Sequence, residues 1–194
     1  MKVDELDTGE FKSRLWSAET HVRTPGLHLT DILYPMMEEQ GETPDRPDLT
    51  KEDLEGYRAV GFLWERVLVR ALTDMYGENS FVLRLGEFTK DGVIFTPDAI
   101  LIRATCPPSL EEWKCTWTSS NRAIGDRKQW WIQIMAYCHA LDLDEATVRV
   151  LYINGTWRPP IPRTRHYRAT FNKRELVENW DMLLNYARSK GMIK

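Results

Sequence analysis

In this 194-residue chain an acid interrupts one apolar run, and an acid and a lysine open the next. The runs read Gly92-Val-Ile-Phe-Thr-Pro-Asp98-Ala-Ile-Leu-Ile102 and, after a polar connection, Leu110-Glu-Glu112-Trp-Lys114-Cys-Thr-Trp117. An ionised carboxylate in apolar surroundings must be paired, hydrogen-bonded or metal-bound, or else take up a proton. In an extended segment Glu112 and Lys114, two residues apart, point to one face. Asp98 on an adjoining strand would place a second carboxylate beside Glu112. Two hard oxygen ligands suit Mg²⁺ or Mn²⁺, which bind through one or two carboxylates together with waters and phosphates. The lysine would then meet charge building on a phosphate.

The elements that must position these groups are two long helices and a sheet. Thr50, followed by Glu52 and Asp53, starts a helix that runs to about Tyr76 and stops at Gly77. Val60, Trp64, Val67 and Ala71 form its apolar stripe, with Leu68 and Leu72 beside it. Glu65 falls in that second row, out of pattern. It is either brought near Asp98 and Glu112 or is a rim glutamate paired with Arg66 or Arg70. Gly61, one turn earlier, costs about 1 kcal/mol of helix propensity and would let backbone or substrate come close. Ser119-Ser120-Asn121 then offers caps for a helix from about Arg122 to Leu141. On it Gln133 and Tyr137, four apart, share a face.

Pro97-Asp98 followed by Glu112-Trp113-Lys114 resembles the PD-(D/E)XK nuclease signature. The Gln133-x-x-x-Tyr137 pair directly after the Glu-x-Lys strand resembles the RecB-type and lambda-exonuclease-like branch of that superfamily. The resemblance covers roughly residues 55–155. It implies that Asp98, Glu112 and the backbone carbonyl of Trp113 bind a first Mg²⁺ or Mn²⁺, with Glu65 contributing directly or through water. A second ion would stabilise the leaving oxygen while a metal-activated water attacks phosphorus. Lys114 would orient that water or offset charge on the phosphorus, and Gln133 and Tyr137 would position these groups. It further implies a metal-dependent deoxyribonuclease, an exonuclease of recombination, repair or phage replication. DNA, single- or double-stranded, would be its partner, and it would admit a homo-oligomer or a recombination or replication partner.

Around these motifs the chain reads helix, three strands, helix, strand and helix. The expected fold class is therefore α/β: a restriction-endonuclease-like core with a central mixed four-stranded sheet flanked by helices (αβββαβ). Phe81–Phe88 is rich in strand formers, Asp91-Gly92 is a hairpin signal, and Val93–Ile102 and Leu110–Thr118 are the next strands. Pro97 cannot donate a ladder hydrogen bond and implies an edge or bulge that re-aims Asp98. Thr147–Ile153 is the fourth strand. Asn172 caps a C-terminal helix with Leu176, Trp180, Leu183 and Leu184 inward. The whole is expected to be one domain over 1–194. Its core spans about 50–155, with an N-terminal helical extension (1–49, anchors Phe11, Leu15 and Trp16) and a basic connection with the last helix (156–194). A short helix capped by Thr30 is expected in the extension, and His28 and Thr30 either face a nucleic-acid substrate or form a local cap with a surface imidazole.

Charge is unevenly spread. Residues 1–60 carry seven Lys/Arg against fourteen Asp/Glu, whereas no acid lies between Glu145 and Glu175. That interval holds Arg158, Arg163, Arg165 and Arg168, which either contact phosphates or form a solvated surface loop and strand. Three cysteines without CxxC spacing argue for a reducing compartment, and no apolar run reaches the roughly 18 residues of a membrane span. A cytoplasmic protein of a prokaryotic cell or phage-infected host is expected. An iron-sulfur nuclease of the CRISPR-adaptation kind needs four cysteines, several near the C-terminus, and the last here is Cys138. No cluster is therefore expected. Two alternatives stand beside the nuclease: a catalytically inactive nuclease-fold DNA-binding module, and a protein-interaction module docking through some of the eight tryptophans.

Overall fold

The computed structural model describes residues 23–42, 50–77, 80–156, 158 and 162–193. Phe11, Leu15 and Trp16 lie outside the described residues, as do residues 43–49 of the loop expected before Thr50.

Helix α1 (Leu29–Glu39) begins after His28. The expected cap was Thr30, but the Asp31 carboxylate reaches back to accept the His28 backbone N–H at 2.9 Å. An acid in the first turn satisfies an otherwise orphaned amide and lies at the positive end of the helix dipole, which moves the start forward. Helix α2 spans Lys51–Tyr76 and stops where Gly77 adopts φ 65°. The stripe expected at Val67 and Ala71 faces outward: both are exposed, whereas Leu68 and Leu72 are buried. The second row, the one containing Glu65, is therefore the row that meets the sheet.

Strands β1 (Ser80–Leu83), β2 (Phe88–Lys90) and β3 (Val93–Phe95) follow. Asp91 and Gly92 both take positive φ and close the β2–β3 hairpin, as their types foretold. The expected strand Val93–Ile102 is broken in two. The chain leaves β3 through Thr96 and Pro97, turns at Asp98 and resumes as β4 (Ala99–Arg103) in a different sheet. A proline that cannot donate to the ladder accounts for the interruption.

Strand β5 (Cys106–Thr116) pairs antiparallel with β4, Ala99 opposite Glu111, and parallel with β6 (Glu145–Tyr152), Glu112 opposite Val148. The crossover between them is helix α3 (Lys128–Leu141), preceded by a short 3₁₀ turn. It starts later than the expected Arg122 because Ser119 Oγ caps a local turn, accepting the Asn121 N–H at 3.2 Å, rather than a helix. After β6, β7 (Arg163–Thr170) pairs antiparallel along the outer edge. Helix α4 (Lys173–Ser189) closes the fold, capped as expected, and the cap is an Asn172–Glu175 capping box.

The main sheet is thus mixed and five-stranded, in the order β1-β4-β5-β6-β7. The sequence led us to expect four strands, with most of β7 assigned to a basic connection. One sheet face buries Leu110, Val148, Val150 and Tyr152 with α1, α3 and α4 in the larger core. The other face sets Ala99 and Trp113 against Leu68 and Leu72 of α2. Among the described residues no helix is long and apolar enough to cross a membrane.

Candidate active site

Glu112 and Lys114 stand on the larger-core face of β5, and the lysine ammonium donates to Glu112 Oε1 at 2.6 Å. It also donates to Gln133 Oε1 at 2.8 Å, while Gln133 Nε2 donates to the Tyr137 hydroxyl at 2.9 Å. An ammonium is donor-only, so the carboxamide oxygen must face Lys114 and its NH₂ must face Tyr137. That leaves the Tyr137 O–H proton free to be donated elsewhere. The residues expected to cooperate from strand and helix are therefore one continuous hydrogen-bonded chain.

Asp98 joins from the other side. Past Ala99 strand β4 no longer lies beside β5, and the Asp98 carboxylate accepts the Trp113 backbone N–H at 2.5 Å. In an extended strand the N–H and C=O of one residue point to the same edge, so the Trp113 carbonyl also turns toward Asp98. Desolvation, then the neighbouring Glu112 carboxylate and, more weakly, Glu65 push Asp98 well above the ordinary carboxylate range, against the opposing pull of Lys114. Burial lowers the Lys114 pKa, but the charges of Glu112 and Asp98 outweigh it and the net direction is upward. Burial with the same two carboxylates holds the Tyr137 phenol well above its usual range, so it stays protonated.

Glu65 does come to this cluster: it lines a cleft of about 520 Å³ with Asp98, Tyr137, His28 and Thr30. Its partner is Arg84, 2.6 Å away, while Arg70 approaches Asp74. His28 is not a surface imidazole; it is buried, and its Nε2 meets the Thr24 carbonyl at 2.7 Å. Thr30 Oγ1 accepts from Arg23 at 3.2 Å. Arg158, Arg163, Arg165 and Arg168 do not line the cleft. Arg158 is exposed, the other three lie on the edge strand β7, and Arg168 approaches Glu145 at 3.8 Å.

Two cleft cations escaped the sequence reading, Arg23 and Arg84. Each stands in an unremarkable local context, and only the tertiary fold brings them opposite the acids. Their one local signal is a cation beside a turn or strand end.

Among the described residues no three His, Cys, Asp or Glu side chains are gathered as metal ligands. Instead Lys114 holds Glu112, the Trp113 amide holds Asp98 and Arg84 holds Glu65. The chemistry of the donors still fits a hard divalent cation. Among the described residues Glu112 Oε2 is buried with no hydrogen-bond partner, a costly state for a carboxylate oxygen that a cation would relieve.

No protein-family model matches the sequence, and no curated protein matches it. Solved structures do resemble it. A phage-related exonuclease from Haemophilus somnus 129PT aligns at 13% identity over 86% of this chain and 93% of that one, with TM-score 0.51. The alkaline exonuclease LHK-Exo from Laribacter hongkongensis aligns at 13% identity over 92% and 85%, with TM-score 0.52. Its complex with dAMP aligns at 12% identity over 92% and 84%, with TM-score 0.50. At such identity the likeness is one of fold. The restriction-endonuclease-like α/β core expected from the sequence is the fold this chain has, with one strand more than expected in the main sheet and a separate β2–β3 hairpin.

Proposed function

We propose that this chain is a metal-dependent nuclease that hydrolyses phosphodiester bonds in DNA. The observation that carries the reading is the convergence of Asp98, Glu112 and Lys114 around a buried carboxylate oxygen that has no partner among the described residues. Asp98, Glu112 and the Trp113 carbonyl are the ligands for Mg²⁺ or Mn²⁺, with Glu65 contributing directly or through water. When bound, the ion supplies Lewis acidity that makes water a stronger nucleophile and neutralises charge on the phosphate.

The chain's own groups do the rest. Lys114, fixed by Glu112 and Gln133, places a positive charge where the attacking oxygen joins phosphorus and charge accumulates on the non-bridging oxygens. Water oxygen bonds to phosphorus, the bond to the leaving oxygen breaks, and that oxygen takes a proton. Tyr137, kept protonated, is a hydrogen-bond donor on the cleft wall. Arg23, Thr30 and Arg84 supply donors for phosphate oxygens along the same cleft, with His28 bracing the turn behind them. The four arginines at and before β7 give the chain a second, more distant basic surface for the DNA backbone.

The structural neighbours described as exonucleases, one phage-related and one holding dAMP, support action at a DNA end, and a role in recombination, repair or phage replication is part of the same reading. Labelled single- and double-stranded DNA, linear and circular, incubated with Mg²⁺ or Mn²⁺ tests this. Linear DNA is cut, and Glu112→Gln and Lys114→Ala each lose about 10²–10³-fold in rate while remaining folded, though less stable, at the assay temperature. Equal rates for the parent and Lys114→Ala would remove the mechanism. A folded parent chain without activity in either metal would leave the non-cutting DNA-binding module.

A further inference from the structure

Resting on the reading of this cleft as a divalent-cation and phosphate site, we infer that Arg84 is a counter-ion switch. It neutralises Glu65 when no cation sits among the acids, and it is released to a substrate phosphate when one does. Arg84 lies just past the end of β1, at the cleft wall. Its Nη2 is 2.6 Å from Glu65 Oε2, and its side chain remains 48% exposed, whereas that of Glu65 is 18% exposed. Its guanidinium also lies over the Trp113 ring, Cζ 5.7 Å from the centroid. That ring is itself held: Trp113 is buried, and its indole N–H donates to Glu111 at 3.3 Å.

Arg84 therefore has two independent holds, and only one of them competes with a cation. Glu65 and Asp98 line one cleft, and Asp98 is bonded to the backbone of Trp113, the residue after Glu112. Glu65, Glu87, Asp98 and Glu112 face Lys114, Arg84 and an Arg23 already paired with Asp31 at 2.9 Å, so the site is short of positive charge without a metal. A divalent ion recruited by that deficit contends with the guanidinium for the Glu65 oxygens. Once displaced, Arg84 keeps its place on the indole face and turns free N–H groups toward the cleft, where a phosphate oxygen can accept them. A planar guanidinium can do both, since it stacks and offers several fixed donors; an ammonium cannot stack in the same way.

The test is direct Mn²⁺ titration of the full chain without nucleic acid, by calorimetry or by the electron paramagnetic resonance of free Mn²⁺. It compares the parent, Arg84→Gln, Glu65→Gln and the double variant. Removing the competing pair should tighten Mn²⁺ binding by up to about fivefold in Arg84→Gln, the scale set by a partly exposed ion pair. Glu65→Gln should bind more weakly, and adding Arg84→Gln to it should change nothing further. A second readout, oligonucleotide affinity in Ca²⁺, should move the other way, weaker in Arg84→Gln. Opposite changes for metal and nucleic acid are not what a purely structural arginine would give. Arg84→Lys, which keeps the charge without the planar stack, guards against a misfolded Gln variant and should fall between parent and Arg84→Gln in both measurements. Unchanged or weaker Mn²⁺ binding in a folded Arg84 variant, with the parent binding normally, overturns the switch and leaves the nuclease reading standing. A parent chain that takes up no Mn²⁺ overturns both.

Discussion

The Asp98 carboxylate accepts the backbone N–H of Trp113, the residue between Glu112 and Lys114, at 2.5 Å. One hydrogen bond thus ties the acid left by the broken strand to the centre of the motif on β5, and holds its charge beside that of Glu112. Held there, Asp98 ionises less readily than in an unfolded chain. Its folded pKa is raised, so the folded state binds more protons as pH climbs above the ordinary carboxylate value of about 3.9. Stability from this group is present at low pH and lost as pH rises through the raised value.

Asp98→Asn should therefore stabilise the metal-free protein at neutral pH. The amide keeps an oxygen for the Trp113 N–H and discards the crowded charge. We expect a melting temperature higher by about 2–4 °C, the shift that a kilocalorie produces in a chain of this size. The gain should vanish near pH 4 and reverse in saturating Mn²⁺, which stabilises only the ionised acid. Melts of the two proteins that run parallel across pH, with and without Mn²⁺, would show that Asp98 carries no such penalty.

A site that costs stability was legible in the chain because burial of charge stands out against local pattern. Glu112 and Lys114 alternate onto one face of a strand, and Gln133 and Tyr137 repeat at helical spacing, so local periodicity alone groups each pair. Glu65 was visible as an acid in an apolar row, although which row faced inward was misread: Val67 and Ala71 fit a helical stripe as well as Leu68 and Leu72 do. Only packing against Ala99 and Trp113 decides between them. Arg84 gave no sign, because its place depends on the long-range pairing of β1 with β4, Leu83 opposite Ile100. Strand β7 was missed for a different reason. Arg-Thr-Arg-His-Tyr-Arg has no apolar alternation to follow, yet charged residues are what an exposed edge strand carries to discourage further pairing.

On the opposite face of the sheet, Glu111 is fully buried and takes two bonds from Arg149, at 2.7 and 2.9 Å. Arg149 also donates to His166 Nδ1 at 2.7 Å. Removing one member leaves a buried charge without its partner, a loss of about 3–5 kcal/mol. Glu111→Gln should lower the urea midpoint accordingly. Glu111→Leu combined with Arg149→Met should recover most of it, since neither charge is then stranded. Cleavage per folded molecule should stay near the parent value in Glu111→Gln, whose amide oxygen still accepts the Trp113 indole N–H, and fall in the double variant, which frees the ring beneath Arg84. A urea midpoint for Glu111→Gln equal to the parent's would show that water already reaches the pair.

The arginines of β7 make a separate claim on DNA, one that does not pass through the cleft. Arg163 and Arg165 point to the same side of the edge strand, opposite Tyr152 and Val150 in register. If both contact phosphates, each neutralises one backbone charge and releases counterions, so log affinity falls with log salt by roughly 0.9 per contact on duplex DNA. Arg163→Ala with Arg165→Ala should weaken binding alike for unrelated sequences and flatten that slope by about 1.8. The cleavage rate at saturating DNA should hold, since neither side chain lines the cleft. Binding isotherms between about 50 and 200 mM salt decide it. A slope equal to the parent's means that the edge strand faces water when DNA is bound, and that the backbone contacts come from the cleft arginines alone.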